Sequence, residues 1–322
     1  VCSSDLDNIA VAKEIAKQAG IGEKISRISE IKSLPEAEQA EAIQKCDGIA
    51  EIYPEDKYWV VKTLQSKSKT TGMTGDGVND APALKQAELG IAVSGATDVA
   101  KAAASMVLVE QGTKVILEAI KISRETYQRM LTWTIKKIAR SIQFMIIASL
   151  GFFWFQDVII SITGLMLLVV VNDLMTMTLA VDNARSTKNP NSWNVKNISM
   201  AAVFIGVLFA AIEIAFLLMG MNYFKMDLEQ IRTLILISLI YTGQFGIIIV
   251  RERGFFWESS PSRTVLASIT IAMAAFTVLA LFGIGVKAIP AAAVAITLVA
   301  SMLYVLAIDL PKKIAYKRLN IS

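Results

Sequence analysis

Histidine is absent from the 322 residues, so no imidazole is available for acid–base chemistry or for holding a metal. Cysteine occurs only at Cys2 and Cys46, without metal-ligand spacing, which fits a reducing, cytoplasmic setting for the part that carries them. The opening VCSSDL has neither the cationic start nor the apolar run of a signal peptide, and residues 1–6 read as a non-native or truncated start. No block of like charge is present. The 32 Lys and Arg against 28 Asp and Glu leave a net charge of +4, too weak and dispersed to call for nucleic acid. No internal repeat and no low-complexity tract stands out.

What the chain has in quantity is apolar surface, at 54% hydrophobic residues. Residues 1–137 carry 18 basic and 19 acidic groups, whereas 138–322 carry only 14 and 9. The first part reads as a soluble domain and the second as membrane. Six apolar stretches follow Lys137: Ile138–Phe155, Val158–Val181, Ala201–Met221, Ile231–Val250, Thr264–Val286 and Ile289–Leu310. Each is near the ~20 residues that cross a bilayer as a helix. Any one alone fits a core helix, but six in succession point to a lipid bilayer. Basic residues mark alternate connections, at Arg185, Lys188 and Lys196, at Arg251, Arg253 and Arg263, and in the tail from Lys312 to Arg318. That alternation puts the soluble part and both ends in the cytoplasm.

Ionisable groups inside a bilayer are costly and are functional suspects. Asp173, in VVVNDLMTMTLA beside Asn172, is expected to be an interior carboxylate able to bind a proton or small cation. Glu213 lies mid-helix in the third stretch, where helix packing explains it as well as ion handling does. Arg140 is expected to snorkel to the interface, and Gln244 to act as interhelical glue.

The first part alternates helical and strand-like patterns. Helices are expected over Ile9–Ala19, Glu55–Ser66 and Thr97–Ala104, and strands over Gly48–Tyr53, Thr70–Met73, Leu89–Val93 and Met106–Val109. Residues 20–47 read as a loop and a surface helix. The βαβ rhythm predicts a parallel sheet covered on both faces. Ligands of such sheets bind at the carboxyl ends of the strands, where the most polar turn is GMTGDGVNDAPAL, Gly72–Leu84. Gly75 and Gly77 allow tight turns and close backbone approach to an anion. Asp76 and Asp80 offer two hard oxygen ligands suited to Mg²⁺ beside phosphate. Asn79 adds a neutral polar group, and Pro82 fits the first turn of a helix.

TGDGVNDAPAL, preceded by PEDK at Pro54–Lys57, resembles the phosphorylation domain of P-type ATPases, a haloacid-dehalogenase-like α/β fold. The resemblance implies that Asp76 coordinates Mg²⁺ at an aspartyl phosphate with Asp80 close by, that Lys57 contacts the phosphoryl group and that Asn79 orients it. It runs on into the membrane part. YQRMLTWTI at Tyr127–Ile135 resembles the stalk, VVNDLMTMT at Val170–Thr178 the proton-binding helix of plasma-membrane proton pumps, and NSWNVKNI at Asn191–Ile198 their next loop. Asp173 falls on the carboxylate that binds the proton in those pumps. The arginine that partners it there aligns with Gln143, with Arg140 about one helical turn away. The implied divisions are a partial phosphorylation domain over 7–120, a stalk helix over 121–137, a six-helix transmembrane bundle over 138–310 and a cytoplasmic tail over 311–322.

DKTGT, the segment whose aspartate is phosphorylated, does not occur in this sequence, nor does TGES, and near Asp7 and Asn8 only DN remains of the expected TGD. The resemblance therefore implies the C-terminal part of an ATP-driven proton exporter of the plasma membrane, inactive by itself, with ATP as substrate through a nucleotide domain outside these residues. Within the family, Ca²⁺, Mg²⁺ or K⁺ is the competing cargo. A membrane-tethered phosphatase would need a nucleophilic aspartate motif, and a non-catalytic membrane remnant would need none.

Overall fold

A computed structural model of the chain describes residues 2–5, 8–110, 112, 114–187 and 189–321, the first four by backbone alone. The expectations for Val1, Leu6, Asp7 and Lys188 lie outside the described residues. The chain divides into two compact units, Val1–Glu118 and Ala119–Ser322.

The first unit runs β1 (Cys2–Asp5), α1 (Ile9–Gln18), β2 (Ile25–Arg27), α2 (Ile28–Lys32), α3 (Glu36–Lys45), β3 (Gly48–Ile52), α4 (Pro54–Ser66), β4 (Gly72–Gly75), α5 (Ala81–Gln86), β5 (Leu89–Ala92), α6 (Asp98–Ala103) and β6 (Met106–Val107). Among the described residues all pairings are parallel, but instead of one sheet there are two of three strands, ordered β1-β3-β2 and β4-β5-β6. Residues 20–47 hold a strand and two helices where a loop and one helix were expected. The β3 sequence GIAEI buries Ile49 and Ile52, which pack with Ile28, Ile31 and Ile43, and Ala50, which packs with Ala12, Ala16 and Ile25. Each fully buried isoleucine contributes about 1.5–3 kcal/mol. Pro54 stops the strand and starts α4, because its ring fits a first helical turn and removes a strand donor.

The second unit is helical. It contains most of α7 (Lys114–Phe155), then α8 (Ile162–Thr178), α9 (Val195–Leu218), α10 (Leu228–Val250), α11 (Arg263–Phe282) and α12 (Ala291–Arg318). The described residues contain six helices long and apolar enough to cross a membrane. The expected stalk and first membrane stretch form one unbroken helix of 42 residues. At 1.5 Å per residue it is about 63 Å long, twice the hydrocarbon thickness. The expected tail is helical as far as Arg318, passing through Pro311. Caps at Ser161, Asn194, Asp227 and Ser262 satisfy the first amides of α8 to α11.

Helix α10 is the hub, packing against α8, α9, α11 and α12. Its LILISLIYTGQFGIIIV is buried almost all round, as expected of a helix surrounded by others. Charged side chains tie one end of this unit together. Arg251 pairs with Asp182 at 2.7 Å and donates to the carbonyls of Asn183 and Ser259. Lys312, fully buried, pairs with Asp309 and caps α10 through the carbonyls of Ile249, Glu252 and Gly254. Charged caps of this kind are favoured where helix-end carbonyls would otherwise be buried unpaired.

Candidate functional site

In the first unit the polar turn leaves β4 at Gly75, passes Asp76 and Gly77, and makes a 3₁₀ turn over Val78–Asp80 into α5. The buried carboxylate of Asp80 organises it. Oδ1 accepts from Lys57 Nζ at 2.8 Å, and Oδ2 accepts from the backbone N–H of Asp76 at 3.2 Å and of Gly77 at 3.3 Å. Burial opposes the charge on Asp80, but the Lys57 bond and the two amides outweigh it and hold its carboxyl below the usual carboxylate range. Lys57 is brought to the turn by α4, as the spacing of PEDK implied, and meets Asp80 there.

Asp76 is different. Its carbonyl accepts from Thr97 N–H at 2.8 Å and its amide is held by Asp80, so the backbone is fixed at both ends. Its side chain is exposed and, among the described residues, makes no ion pair. Asn79 is exposed beside it. Glu88 secures the start of the strand. It accepts from the Thr71 hydroxyl at 2.7 Å and the Thr71 amide at 2.8 Å, and those bonds, with Gln65, bring its carboxyl down to about 2.

The two glycines of the turn have different surroundings. Neither Gly75 nor Gly77 has a left-handed φ. A Cβ on Gly75 would meet the Cγ of Asp80 at 2.8 Å, so that glycine makes room for the carboxylate inside the turn. Gly77 keeps open space, its nearest neighbours lying 3.9 Å away. No group of three or more His, Cys, Asp or Glu gathers to hold a metal among the described residues.

In the second unit the ranking of the two membrane acids is reversed. Asp173 is on the surface of α8, its side chain 58% exposed, and pairs with Lys137 of α7 at 2.6 Å. The cause is helical phase. Gly164, Leu168 and Met175 lie on the buried face of α8, which packs on α10 and α11. Asp173 precedes Met175 by two residues, roughly 200° around the helix. It opens into a groove of about 220 Å³ walled by Lys136, Lys137, Arg140 and Ser141 of α7 and by Val169, Asn172 and Thr176 of α8. Lys136 is buried with its ammonium unpartnered.

Glu213 is the acid that is fully buried. Its Oε1 accepts from Gln143 Nε2 of α7 at 2.9 Å and contacts Thr242 Oγ1 of α10 at 2.8 Å, and its Oε2 contacts the Ser238 hydroxyl of α10. Gln143 therefore reaches Glu213 and not Asp173. Arg140 does not snorkel. Its guanidinium turns inward to the Leu239 carbonyl and rests on Gly243, where a Cβ would meet Cζ at 3.3 Å. The side-chain oxygen of Gln244 is buried without a partner, so it bonds no neighbouring helix.

Sequence reading missed Lys137 as the partner of Asp173, and Ser238 and Thr242 as partners of Glu213. The signal for the last two was two hydroxyls spaced i, i+4 in the apolar α10, one helical face pointing the same way.

Residues 7–120 match the haloacid dehalogenase-like hydrolase family. A Methanocaldococcus jannaschii protein provisionally named a cation-transporting ATPase is 35% identical over 260 residues, covering 78% of this chain and 32% of its own length. The plasma membrane ATPase of Kluyveromyces lactis is 32% identical over 287 residues, covering 86% of this chain and 32% of its own length. Plasma membrane ATPase 1 of Saccharomyces cerevisiae is 31% identical, covering 86% of this chain and 31% of its own length. The chain thus spans about a third of the length of the curated relatives it matches. It is a haloacid dehalogenase-like domain followed by a helical region with six candidate membrane helices, and it is closely similar to the plasma membrane P-type ATPases.

Proposed function

We propose that this chain supplies the phosphate-side loop and the ion path of an ATP-driven cation pump of the plasma membrane, and that the ion is the proton. The soluble unit and both ends face the cytoplasm in this reading, which the alternation of basic loops supports. In this reading the phosphorylated aspartate belongs to another part of the pump, since DKTGT does not occur in these residues.

The single observation that carries the choice of ion is the Lys137–Asp173 pair, at 2.6 Å, in a groove that holds Lys136 and Arg140 besides. One ammonium is paired with the carboxylate, and two further basic residues line the same groove. A Ca²⁺ or K⁺ site needs several anionic or carbonyl oxygens, and a metal ion entering here would meet a positive wall. A proton needs one carboxyl. When Asp173 takes up a proton its attraction for Lys137 disappears. When Lys137 returns, the carboxylate is favoured again and the proton leaves. Lys136, Lys137 and Arg140 all sit on α7, so a displacement of that helix along its axis changes their distance from Asp173 on α8. Alternating strong and weak pairing is how such a displacement becomes uptake and release.

In the loop, Asp76 is the residue suited to Mg²⁺. Mg²⁺ is ordinarily held by one or two carboxylates together with phosphate oxygens and water, and Asp76 presents one exposed carboxylate on a fixed backbone, with Asn79 beside it. Mg²⁺ bound there would neutralise charge on the transferred phosphoryl group. Asp80 holds the turn in shape, and its bond to Lys57 sets where the ammonium stands.

Asp173→Asn in the complete pump tests the reading. It keeps the shape and removes the titrating group. The expected result is loss of proton transport in reconstituted vesicles, with ATPase activity uncoupled or lost. Wild-type proton transport in that variant refutes the assignment. ATPase activity that requires added K⁺ or Ca²⁺ would move the cargo to a metal ion.

A further inference from the structure

Glu213 has no part in the transport scheme above, yet it is wholly buried and in contact with three polar side chains from two other helices. The hydroxyls around it have two uses each. Ser238 Oγ stands 2.9 Å from the Ile235 carbonyl of its own helix and also touches Glu213 Oε2. Thr242 Oγ1 stands 2.8 Å from the Ser238 carbonyl and 2.8 Å from Glu213 Oε1. Each hydroxyl has one hydrogen and rotates freely to place it, and donation to a carbonyl one turn back is ordinary for Ser and Thr in helices.

Counting donors for both charge states gives a definite result. With Glu213 ionised, the Ser238 hydrogen points to Oε2, the Thr242 hydrogen to Oε1, and Gln143 Nε2 donates to Oε1. With Glu213 neutral, its own hydrogen lies on Oε2 and donates to Ser238 Oγ. Ser238 then donates to the Ile235 carbonyl and Thr242 to the Ser238 carbonyl. Gln143 Nε2 keeps its contacts at 2.9 Å to Oε1 and 3.1 Å to Thr242 Oγ1. No buried donor or acceptor of the carboxyl is stranded in either state, and no heavy atom has to move. That matters because an unpaired buried polar group is expensive.

The surroundings supply a counter-charge. Arg140 of α7 reaches the stretch of α10 that carries Ser238 and Thr242. Its guanidinium lies on α10 at Leu239 and Gly243, next to Ser238 and Thr242, and its Nε is unpartnered. From α10 only hydroxyls face the acid. On α12, which also packs on α9, the buried Thr297 and Ser301 are uncharged, and the pair Asp309–Lys312 is committed to the segment after α10. Arg140 is also a wall of the Asp173 groove, so the cluster is one side chain away from it.

From this geometry we infer that Glu213, with Gln143, Ser238, Thr242 and Arg140, is a second proton-binding site inside the helical unit, distinct from Asp173. It binds and releases one proton, and hydroxyl rotation alone fits the cluster to either charge state. The inference goes beyond the transport scheme and holds whichever ion Asp173 carries.

Infrared difference spectroscopy of the complete protein in lipid nanodiscs, stepped across neutral pH, tests it. A carboxylic C=O band that falls as pH rises and shifts down in D₂O is expected. It should persist in Asp173→Asn and vanish in Glu213→Gln, which keeps the shape of the side chain. Ser238→Ala should move the band to higher frequency, since one hydrogen bond to the carboxyl is lost. The band surviving Glu213→Gln, or a Glu213 band indifferent to pH, overturns the site. Should Glu213→Gln fail to fold, an unmoved band in Ser238→Ala overturns it equally. Intact proton transport in Asp173→Asn sinks the Asp173 assignment while leaving this band untouched.

Discussion

Asp76 and Asp80 in the turn after β4 divide in the same way as Asp173 and Glu213 in the helices of the second unit. One is buried and bonded: Asp80 to Lys57 and two amides, Glu213 to Gln143, Ser238 and Thr242. The other is open: Asp76 on the turn, Asp173 on α8. The open acids differ in one respect. Asp76 carries no ion pair among the described residues, whereas Asp173 holds Lys137 at 2.6 Å. Water stabilises a bare carboxylate on a soluble loop, so Asp76 can wait for a ligand uncompensated. In a candidate membrane helix there is far less water to do so, and a neighbouring ammonium takes its place.

Substituting the open acid of the loop should break the contrast most severely. Asp76→Asn in the complete pump is expected to lower ATP hydrolysis on the order of a hundred- to a thousand-fold, while the melting temperature stays put, because the side chain supports nothing. A comparable fall in stability would mean that Asp76 is structural after all. Next in size is its buried neighbour. Asp80→Ala removes the carboxylate that pairs with buried Lys57 and should cost about 3 kcal/mol, the scale of breaking a buried ion pair. Hydrogen exchange of the β4–α5 segment in the full chain is the measurement, and unchanged protection there would contradict the role given to Asp80.

A smaller effect is expected where Arg140 is tucked against α10. Gly243→Ala puts a methyl group under the guanidinium and should cost about 1–2 kcal/mol by overpacking. Adding Arg140→Met should recover much of that cost, and a thermal melt of the pair of variants in lipid would show it. Two independent, additive losses would place Arg140 elsewhere.

The smallest effect concerns acidity. The Asp80 carboxyl lies below its ordinary value of 3.8 in the folded chain, so on acidification the unfolded chain binds its proton first. The stabilisation from this site is therefore complete above about pH 4 and is lost as pH falls through the lower folded-state value. Asp80→Asn should flatten that part of the stability–pH curve, and a variant that kept the full acid dependence would assign it to other carboxyls.

Much of the loop was legible from residue order alone. TGDGVNDAPAL is contiguous, and a short turn between a strand and a helix brings Asp76, Asn79 and Asp80 together whatever the rest of the chain does. Lys57 joins them across 23 positions because α4 packs against α5 and the 3₁₀ turn before it. The role of Gly75 was not legible. It depends on the side chain of Asp80 folding back over it, which is a packing fact.

The membrane region divides differently between the two kinds of information. Residue order by itself determined that six apolar helices form and that Asp173, Glu213, Arg140 and Gln143 lie within them, because length and hydropathy suffice for that. Only the tertiary structure decided which acid is enclosed. Every residue of a helix has a direction, and the direction acquires meaning only when neighbours are chosen. Helix α8 turns Leu168 and Met175 to its neighbours and leaves Asp173 to Lys137, while α9 and α10 close around Glu213. Depth in a hydrophobic stretch is a one-dimensional property, but enclosure is a three-dimensional one, and the energetic cost of a charge follows enclosure.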